Sequence, residues 1–333
     1  MAGSRSITAP SSAWPGLSGL GAARLAASQQ RVVVTGAGGW LGRATLEALH
    51  GLLGEAFAER VVCFGSSARR FNLRGGLIID QQGLGDLASL PPAPTLVLHN
   101  ACLTRDRAEQ MSPADYAAAN RAISRTVLAA LDPIGAEAVF LPSSGAAYRA
   151  DDPRAPDALR LYGQLKGEDE QAFAAWARSA GARAALVRVF NLSGPYINKL
   201  GSYALAGFIL DALAARPIEV RASRPVFRSY VAIRELISIV LGLMTDEAPA
   251  VTRFDTAGER PLEMADIARA VAAALAPELA ILRPSLTVGE DDRYVGDRTA
   301  YAALSEAYRV PIVQFPQQID ETATYLMNFP ESG

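Results

Sequence analysis

A tyrosine and a lysine stand four residues apart in Tyr162-Gly163-Gln164-Leu165-Lys166, a spacing that puts both on one face of a helix, one turn from each other. A free phenol, with a pKa near ~10, is a poor base at neutral pH. A fixed ammonium beside it favours the phenolate and brings it toward the working range of a general acid or base. Upstream, Phe140-Leu141-Pro142-Ser143-Ser144-Gly145-Ala146-Ala147-Tyr148 reads as a strand that ends in two hydroxyls. Either hydroxyl could hold a reacting oxygen, although a serine pair after a strand also serves as turn chemistry. These groups suit proton transfer at an alcohol or ketone, and that chemistry needs a carrier for the hydride.

The carrier's place is legible near the amino end. Val32-Val33-Val34-Thr35-Gly36-Ala37-Gly38-Gly39-Trp40-Leu41-Gly42 is an apolar strand, a glycine turn and the start of a helix that continues through residue 49. Gly36 permits the tight exit, Gly39 lets the backbone approach a pyrophosphate, and Gly42 lets the helix pack on the strand. Trp40 and Leu41 open the helix, whose amides and positive dipole end would face the phosphates. Glycines at the first, third and sixth places are not what the chain has, because Leu41 fills the sixth. The spacing is Thr-Gly-x-x-Gly-x-x-Gly instead.

The end of the second strand decides which dinucleotide fits. An NAD site usually has a carboxylate there for the ribose 2′-hydroxyl. Phe64-Gly65-Ser66-Ser67-Ala68-Arg69-Arg70 has none. Hydroxyls and guanidinium groups would welcome a 2′-phosphate, so NADP is favoured over NAD, with Ser66 and Arg69 as the contacts. The plainer alternative is that Arg69 and Arg70 are solvated loop charges.

Short apolar runs alternate with amphipathic segments from Arg31 onward, which predicts strand-helix-strand units and an α/β, doubly wound parallel sheet. The expected strands are 32–34, 61–64, 77–79, 96–98, 138–141 and 185–189, with helices over 114–131 and 161–179 between them. Beyond Phe190 the rhythm changes to helices over 203–215, 233–244 and 261–275. A dinucleotide-binding domain of 31–191 plus 226–255 and a smaller substrate domain of 192–225 plus 256–333 would leave a cleft between them, where small-molecule sites are common.

In this order the motifs resemble the extended short-chain dehydrogenase/reductase superfamily, the NAD-dependent epimerases and dehydratases of nucleotide sugars, over residues 31 to 300. The resemblance implies a Rossmann fold and a Ser-Tyr-Lys site. It selects Ser144, four residues before the tyrosine corresponding to Tyr148, with Ser143 as the near miss. The positive nicotinamide ring of an oxidised cofactor would then add to the pull of Lys166 on Tyr162. His99-Asn100-Ala101 matches the run that lines the cofactor, though His99 alone reads as a core histidine. Asn120 matches the position that organises the catalytic group. Arg188-Val189-Phe190-Asn191-Leu192-Ser193-Gly194-Pro195 and Arg228-Ser229-Tyr230-Val231 with Glu235 match two further segments. They imply that Asn191 and Arg228 bind the substrate, with Arg293 in Asp292-Arg293-Tyr294-Val295-Gly296-Asp297 a second phosphate ligand. The implied homodimer is built from the helices over 114–131 and 161–179.

Departures from the pattern narrow the reaction. Dehydratases of this kind carry Asp-Glu directly after the hydroxyl, where Gly145 and Ala146 cannot move protons. The expectation is a 4-keto reductase or 4-epimerase of a nucleoside-diphosphate sugar, tilted to the reductase because NADPH exchanges each turnover. The alternatives are a reductase of a non-nucleotide ketone, in which Arg228 would make a structural ion pair, and a cofactor-sensing regulator without catalysis.

Composition bounds the rest. With 32 basic and 34 acidic side chains the formal charge is −2, so no global field recruits nucleic acid or an anionic membrane. No apolar run reaches the roughly 18 residues of a membrane span. Two histidines and two cysteines, Cys63 and Cys102, leave a metal centre almost no ligands and suit reduced thiols in the cytoplasm. Residues 1–30 have no acid and many Gly, Pro and Ser, which predicts a flexible or loosely docked tail, with an organelle transit peptide as the other reading.

Overall fold

The computed structural model describes residues 14–328 apart from 109, 249 and 288. Its first described helix, α1 (Gly19–Ala27), precedes the strand β1 (Arg31–Thr35) and the helix α2 (Trp40–Leu53) that follows the glycine turn. A short helix α3 (Phe57–Arg60) leads into β2 (Val61–Gly65), β3 (Arg69–Asn72), β4 (Ile78–Gly83) and β5 (Thr95–His99). Next come α4 (Arg105–Ala108), α5 (Pro113–Leu131), β6 (Ala136–Ser144), α6 (Asp157–Ala180) and β7 (Arg183–Val189).

One eight-stranded sheet runs in the order Val251–Asp255, β7, β6, β5, β1, β2, β4, β3. Its neighbours are parallel except for β3, which lies antiparallel to β4 at the edge. Strand alternation buries both faces. Val32, Val34, Leu96, Leu98, Phe140 and Val187 face one way, into a core shared with Leu46 and Leu49 of α2. Val33, Phe64, Val97, Val139, Leu141 and Leu186 face the other, against Val127 and Leu131 of α5 and Phe173 of α6. This is the doubly wound Rossmann arrangement, and it gathers Thr35, Gly65, His99, Ser144 and Val189 at one rim, the carboxyl ends of the strands.

The later half adds α7 (Ala204–Leu213), α8 (Ile233–Met244), α9 (Met264–Leu275), α10 (Arg298–Ala307) and α11 (Phe315–Asn328). Helices α7, α9 and α11 pack on one another, while α8 lies on the first face of the sheet against α2. A three-stranded sheet sets Val226–Arg228 between Leu262–Glu263 and Asp292–Tyr294. No helix among the described residues is long and apolar enough to cross a membrane.

Two expectations need correction. Residues 14–30 are not a loose tail: Ala22 and Leu25 of α1 are buried, and the helix packs along α8. Arg60 donates to the Leu25 carbonyl at 3.0 Å, and the Trp14 indole donates to Glu321 at 2.9 Å. Local composition pointed to disorder, but the partner surface lies some 220 positions away in sequence, as in the 3.1 Å Arg24–Asp246 pair. Residues 1–13, where the expectation also fell, lie outside the described residues. The second correction concerns the third strand, which is Ile78–Gly83 rather than 77–79 and forms a hairpin with β3. Arg69 and Arg70 therefore belong to a strand, not to a loop.

Candidate active site

The glycine turn is built for close approach. Gly36 has φ +65°, and a Cβ on it would lie 2.6 Å from the Ala101 amide nitrogen, while one on Gly42 would lie 2.3 Å from the Gly36 carbonyl oxygen. The ends of β1 and β5 thus touch, and Gly39 caps α2 directly above them. Trp40 donates its indole N–H to the Pro195 carbonyl at 2.9 Å, and Leu41 packs part-buried against the core.

Asn100, at the end of β5, has both its amide oxygen and its amide nitrogen buried with no hydrogen-bond partner among the described residues. Such a group is costly unless a ligand completes it, and a dinucleotide on the glycine turn fits this need. At the outer end of the turn two guanidinium groups converge. Arg69 lies against Gly38, whose Cβ would fall on it, and sits 5.4 Å from the Phe71 ring centre. Arg43 donates to the Gly38 carbonyl at 3.1 Å and lies 5.0 Å from the same ring. Neither has a carboxylate partner among the described residues, whereas Arg70 pairs with Asp80 at 2.6 Å. Ser66 is exposed beside them. His99 is a core histidine, 2.7 Å from the Thr35 hydroxyl and held neutral by burial and by Lys166, with a pKa of about 3.

The two serines part company. Ser143 donates to Glu170 at 2.5 Å, inside a buried cluster where Arg188 makes paired 2.9 Å bonds to that carboxylate. Ser144 faces the other way, accepting from the Ala146 amide at 3.1 Å and lying 3.3 Å from the Tyr294 hydroxyl. Helix α6 approaches this turn closely, since a Cβ on Gly163 would stand 2.2 Å from the Ala146 carbonyl oxygen. Its neighbours Tyr162 and Lys166 are brought alongside. The Lys166 ammonium is buried, donates to the Pro142 carbonyl at 3.1 Å and sits 5.8 Å from the Tyr162 ring centre.

Burial raises the Tyr162 phenol above its ordinary value, and Lys166 pulls against this without cancelling it. The pull of Lys166 on the phenol is in the expected direction, and burial works against it. Burial also works against the Lys166 charge, but the Cys102, Tyr162 and Asp169 side chains around it hold its pKa above the usual range. Asn120 accepts from the Leu103 amide at 2.9 Å and donates to the Tyr116 carbonyl at 3.1 Å, so its hydrogen bonds fix the loop after β5 and do not reach Tyr162 or Lys166.

On the other side of the cleft Asn191 donates to the Ser229 and Tyr294 carbonyls, each at 3.3 Å. Arg228 is engaged by Asp292 at 3.2 Å, and Arg293 pairs with Asp291 at 3.6 Å while stacking 4.2 Å from the Phe227 ring centre. Neither arginine is an unclaimed phosphate ligand. A cavity of about 300 Å³ opens beside them, lined by Gly145, Tyr148, Phe190, Asp255, Arg293 and Tyr294. Tyr294 was missed in the sequence although it adjoins Arg293. Strand alternation across Asp292–Tyr294 sends the neighbours to opposite faces, and it is the tyrosine that meets Ser144.

The family model for the NAD dependent epimerase/dehydratase family matches residues 32–253. The chain belongs to that family. No curated protein matches it. Among solved structures, it is similar to a UDP-N-acetylglucosamine 4-epimerase from Methanobrevibacter ruminantium M1 in complex with UDP-N-acetylmuramic acid. The two share 17% identity over 90% of this chain and 99% of the other, with a TM-score of 0.69. A UDP-glucose 4-epimerase from Thermotoga maritima, with UDP-glucose, gives 17%, 90%, 99% and 0.66. One from Thermus thermophilus, in complex with NAD, gives 19%, 90%, 100% and 0.63. At these identities the likeness is one of fold, and it extends over epimerase/dehydratase family chains nearly end to end.

Proposed function

We propose that this family member is an NADP-dependent reductase of a 4-keto nucleoside-diphosphate sugar. The observation that carries the reading is a partly buried Tyr162 with the Lys166 ammonium 5.8 Å from its ring centre, on the helix that closely approaches the turn holding Ser144. Gly36, Gly39, Trp40, Asn100 and Ala101 would hold the dinucleotide, and Arg43 with Arg69 would take a 2′-phosphate in the absence of a carboxylate there. When bound, NADPH supplies the hydride. Tyr162 gives its proton to the ketone oxygen, and Lys166 stabilises the phenolate left behind. Ser144 donates to the same oxygen and steadies its growing charge. Asn191 and Arg228 face the substrate across the cleft.

The reductase is favoured because the end of β2 has no carboxylate for a ribose 2′-hydroxyl and suits an exchanging NADPH. A 4-epimerase would use the same groups but begin by accepting the proton of an alcohol. The epimerases of similar fold support the nucleotide-sugar class and keep this outcome in the test. The Arg228–Asp292 pair favours a second reading, a ketone without a diphosphate. We place a homodimer on α5 and α6, which an exposed Arg121–Glu168 bridge joins at 2.8 Å, and the free thiols Cys63 and Cys102 suit the cytoplasm.

The deciding assay follows NADPH oxidation with 4-keto sugar nucleotides and titrates UDP, GDP and CDP as inhibitors. Reduction with inhibition by one of them is expected. Interconversion of 4-hydroxyl epimers without net NADPH use identifies the epimerase. Turnover of simple ketones with no nucleotide inhibition supports the second reading, and dinucleotide binding with no turnover marks a sensor.

A further inference from the structure

Past the two-residue strand Leu192–Ser193 the chain crosses from one wall of the cofactor groove to the other. Pro195 accepts from the Trp40 indole at 2.9 Å, beside the glycine turn. The Tyr196 hydroxyl accepts from the Arg74 amide at 3.0 Å on that same side. Three residues later the Lys199 ammonium reaches the opposite wall, donating to the Thr104 hydroxyl at 2.6 Å and to the Asp106 carboxylate in the segment after β5. The chain then returns, and Tyr203 meets the Trp40 ring edge-on at 5.2 Å.

Residues 195–203 thus form a strap fastened on both sides of a groove whose floor is the contact between Gly36 and Ala101. The two fastenings differ in kind. The Trp40 side is held by a hydrogen bond and an aromatic contact, whereas the Lys199–Asp106 pair is 34% and 44% exposed and open to competition from water and salt. Tyr196 and Lys199, neither of them glycine, sit at φ +64° and +55°, a left-handed conformation that persists only where contacts hold it. The second is held by the Ser202 amide, which donates to the Lys199 carbonyl at 2.7 Å, together with the Lys199 side-chain bonds to Thr104 and Asp106. The same bond occupies Asp106, leaving its neighbour Arg105 exposed with no acidic partner among the described residues.

We infer that Lys199 is a positioning residue: its bonds to Asp106 and Thr104 close the strap over the bound dinucleotide, and their opening is the step by which the cofactor leaves. This rests on the reading that the groove holds NADP or NAD. A reductase must open the strap every turnover, whereas an epimerase can work with it shut.

The test uses the full-length protein with Lys199→Ala, Lys199→Arg and Asp106→Asn. NADPH dissociation is followed by stopped-flow fluorescence against excess competitor, and hydrogen exchange of the strap by mass spectrometry. Lys199→Ala and Asp106→Asn should each speed dissociation by roughly fivefold, the scale of one exposed ion pair. The double variant should add little, Lys199→Arg should restore the slow rate, and bound NADPH should slow strap exchange in the wild type. A strap that exchanges faster in Lys199→Ala while NADPH leaves at the wild-type rate overturns the inference and spares the proposed function. Unchanged strap exchange also overturns it, because the bond then fastens nothing. Failure to bind either dinucleotide sinks the proposed function itself.

Discussion

The two walls of the cleft are finished to different degrees. On the cofactor wall the polar groups are less fully matched: among the described residues the Asn100 amide is buried without a hydrogen-bond partner, and Arg43 and Arg69 have no carboxylate, although Arg43 donates to the Gly38 carbonyl. On the substrate wall the cations are matched, Arg228 with Asp292, Arg293 with Asp291 and Arg283 with Glu263 at 2.8 Å. An unpartnered buried donor costs stability, so a fold keeps one where a ligand repays it. If the first wall holds the dinucleotide, Asn100 gains its missing partners there, while Arg228 and Arg293 can take an anion only by each giving up a bond it already has.

The sharpest way to break this contrast is at the point between the walls. Tyr162→Phe should lower turnover by about a thousandfold, the scale of a lost general acid. NADPH affinity should stay nearly intact, because the hydroxyl does not hold the phosphates. Steady-state kinetics with a fluorescence titration of NADPH reads both, and unchanged turnover removes the phenol from the mechanism.

Behind the substrate wall lies an exception to its matched charges. Glu235 accepts from the Tyr301 hydroxyl at 2.8 Å and the Val313 amide at 2.6 Å, tying α8 to α10 and to the segment before α11, but no cation pairs with it among the described residues. Burial pushes its carboxyl up to about 7. Unfolded glutamate titrates near ~4.3, so between the two values the native state keeps a proton that the unfolded chain releases. Stability should fall as pH rises from about 4 to 7 and stay level above, by a total on the order of 3 kcal/mol. Urea unfolding at pH 5 and pH 8 measures this, and Glu235→Gln should flatten the difference. An unaltered slope in that variant would move the effect to another group.

The same contrast separates what the chain discloses locally from what it does not. The strands, the glycine turn and the Tyr162–Lys166 face are legible because alternation, helical spacing and backbone need for glycine are properties of neighbouring residues. Helix α1 is not, since its buried face is matched by α8, far along the chain. Strand β3 hides because Arg69-Arg70-Phe71-Asn72 is polar at a sheet edge, although the turn glycines Gly75 and Gly76, both at positive φ, were a hairpin signal. The roles of Arg228 and Arg293 could not be read from their types, since the same guanidinium serves a phosphate or a carboxylate, and which one it meets depends on register across Val226–Arg228 and Asp292–Tyr294.

On the cofactor wall, replacing Arg43 and Arg69 together with Ala should weaken NADPH by about ten- to a hundredfold, at about 1.5–3 kcal/mol for hydrogen bonds to a charged group. NADH, without the 2′-phosphate, should weaken far less. Equal weakening of both would mean that the two guanidinium groups contact something common to the dinucleotides, and the unmatched charge on this wall would lose its explanation.

The smallest effect tests the other wall. If Arg228 holds a diphosphate, Asp292 competes with that ligand for the guanidinium, and Asp292→Asn should tighten the inhibitory nucleoside diphosphate severalfold, about 1 kcal/mol for a partly exposed pair. Arg228→Ala should weaken it. If the pair is structural, both substitutions lower the melting temperature and neither moves the inhibition constant. Opposite shifts from the two ends of one ion pair are hard to obtain by unfolding, so this comparison distinguishes a wall that trades its partner for substrate from one that merely holds its own strands together.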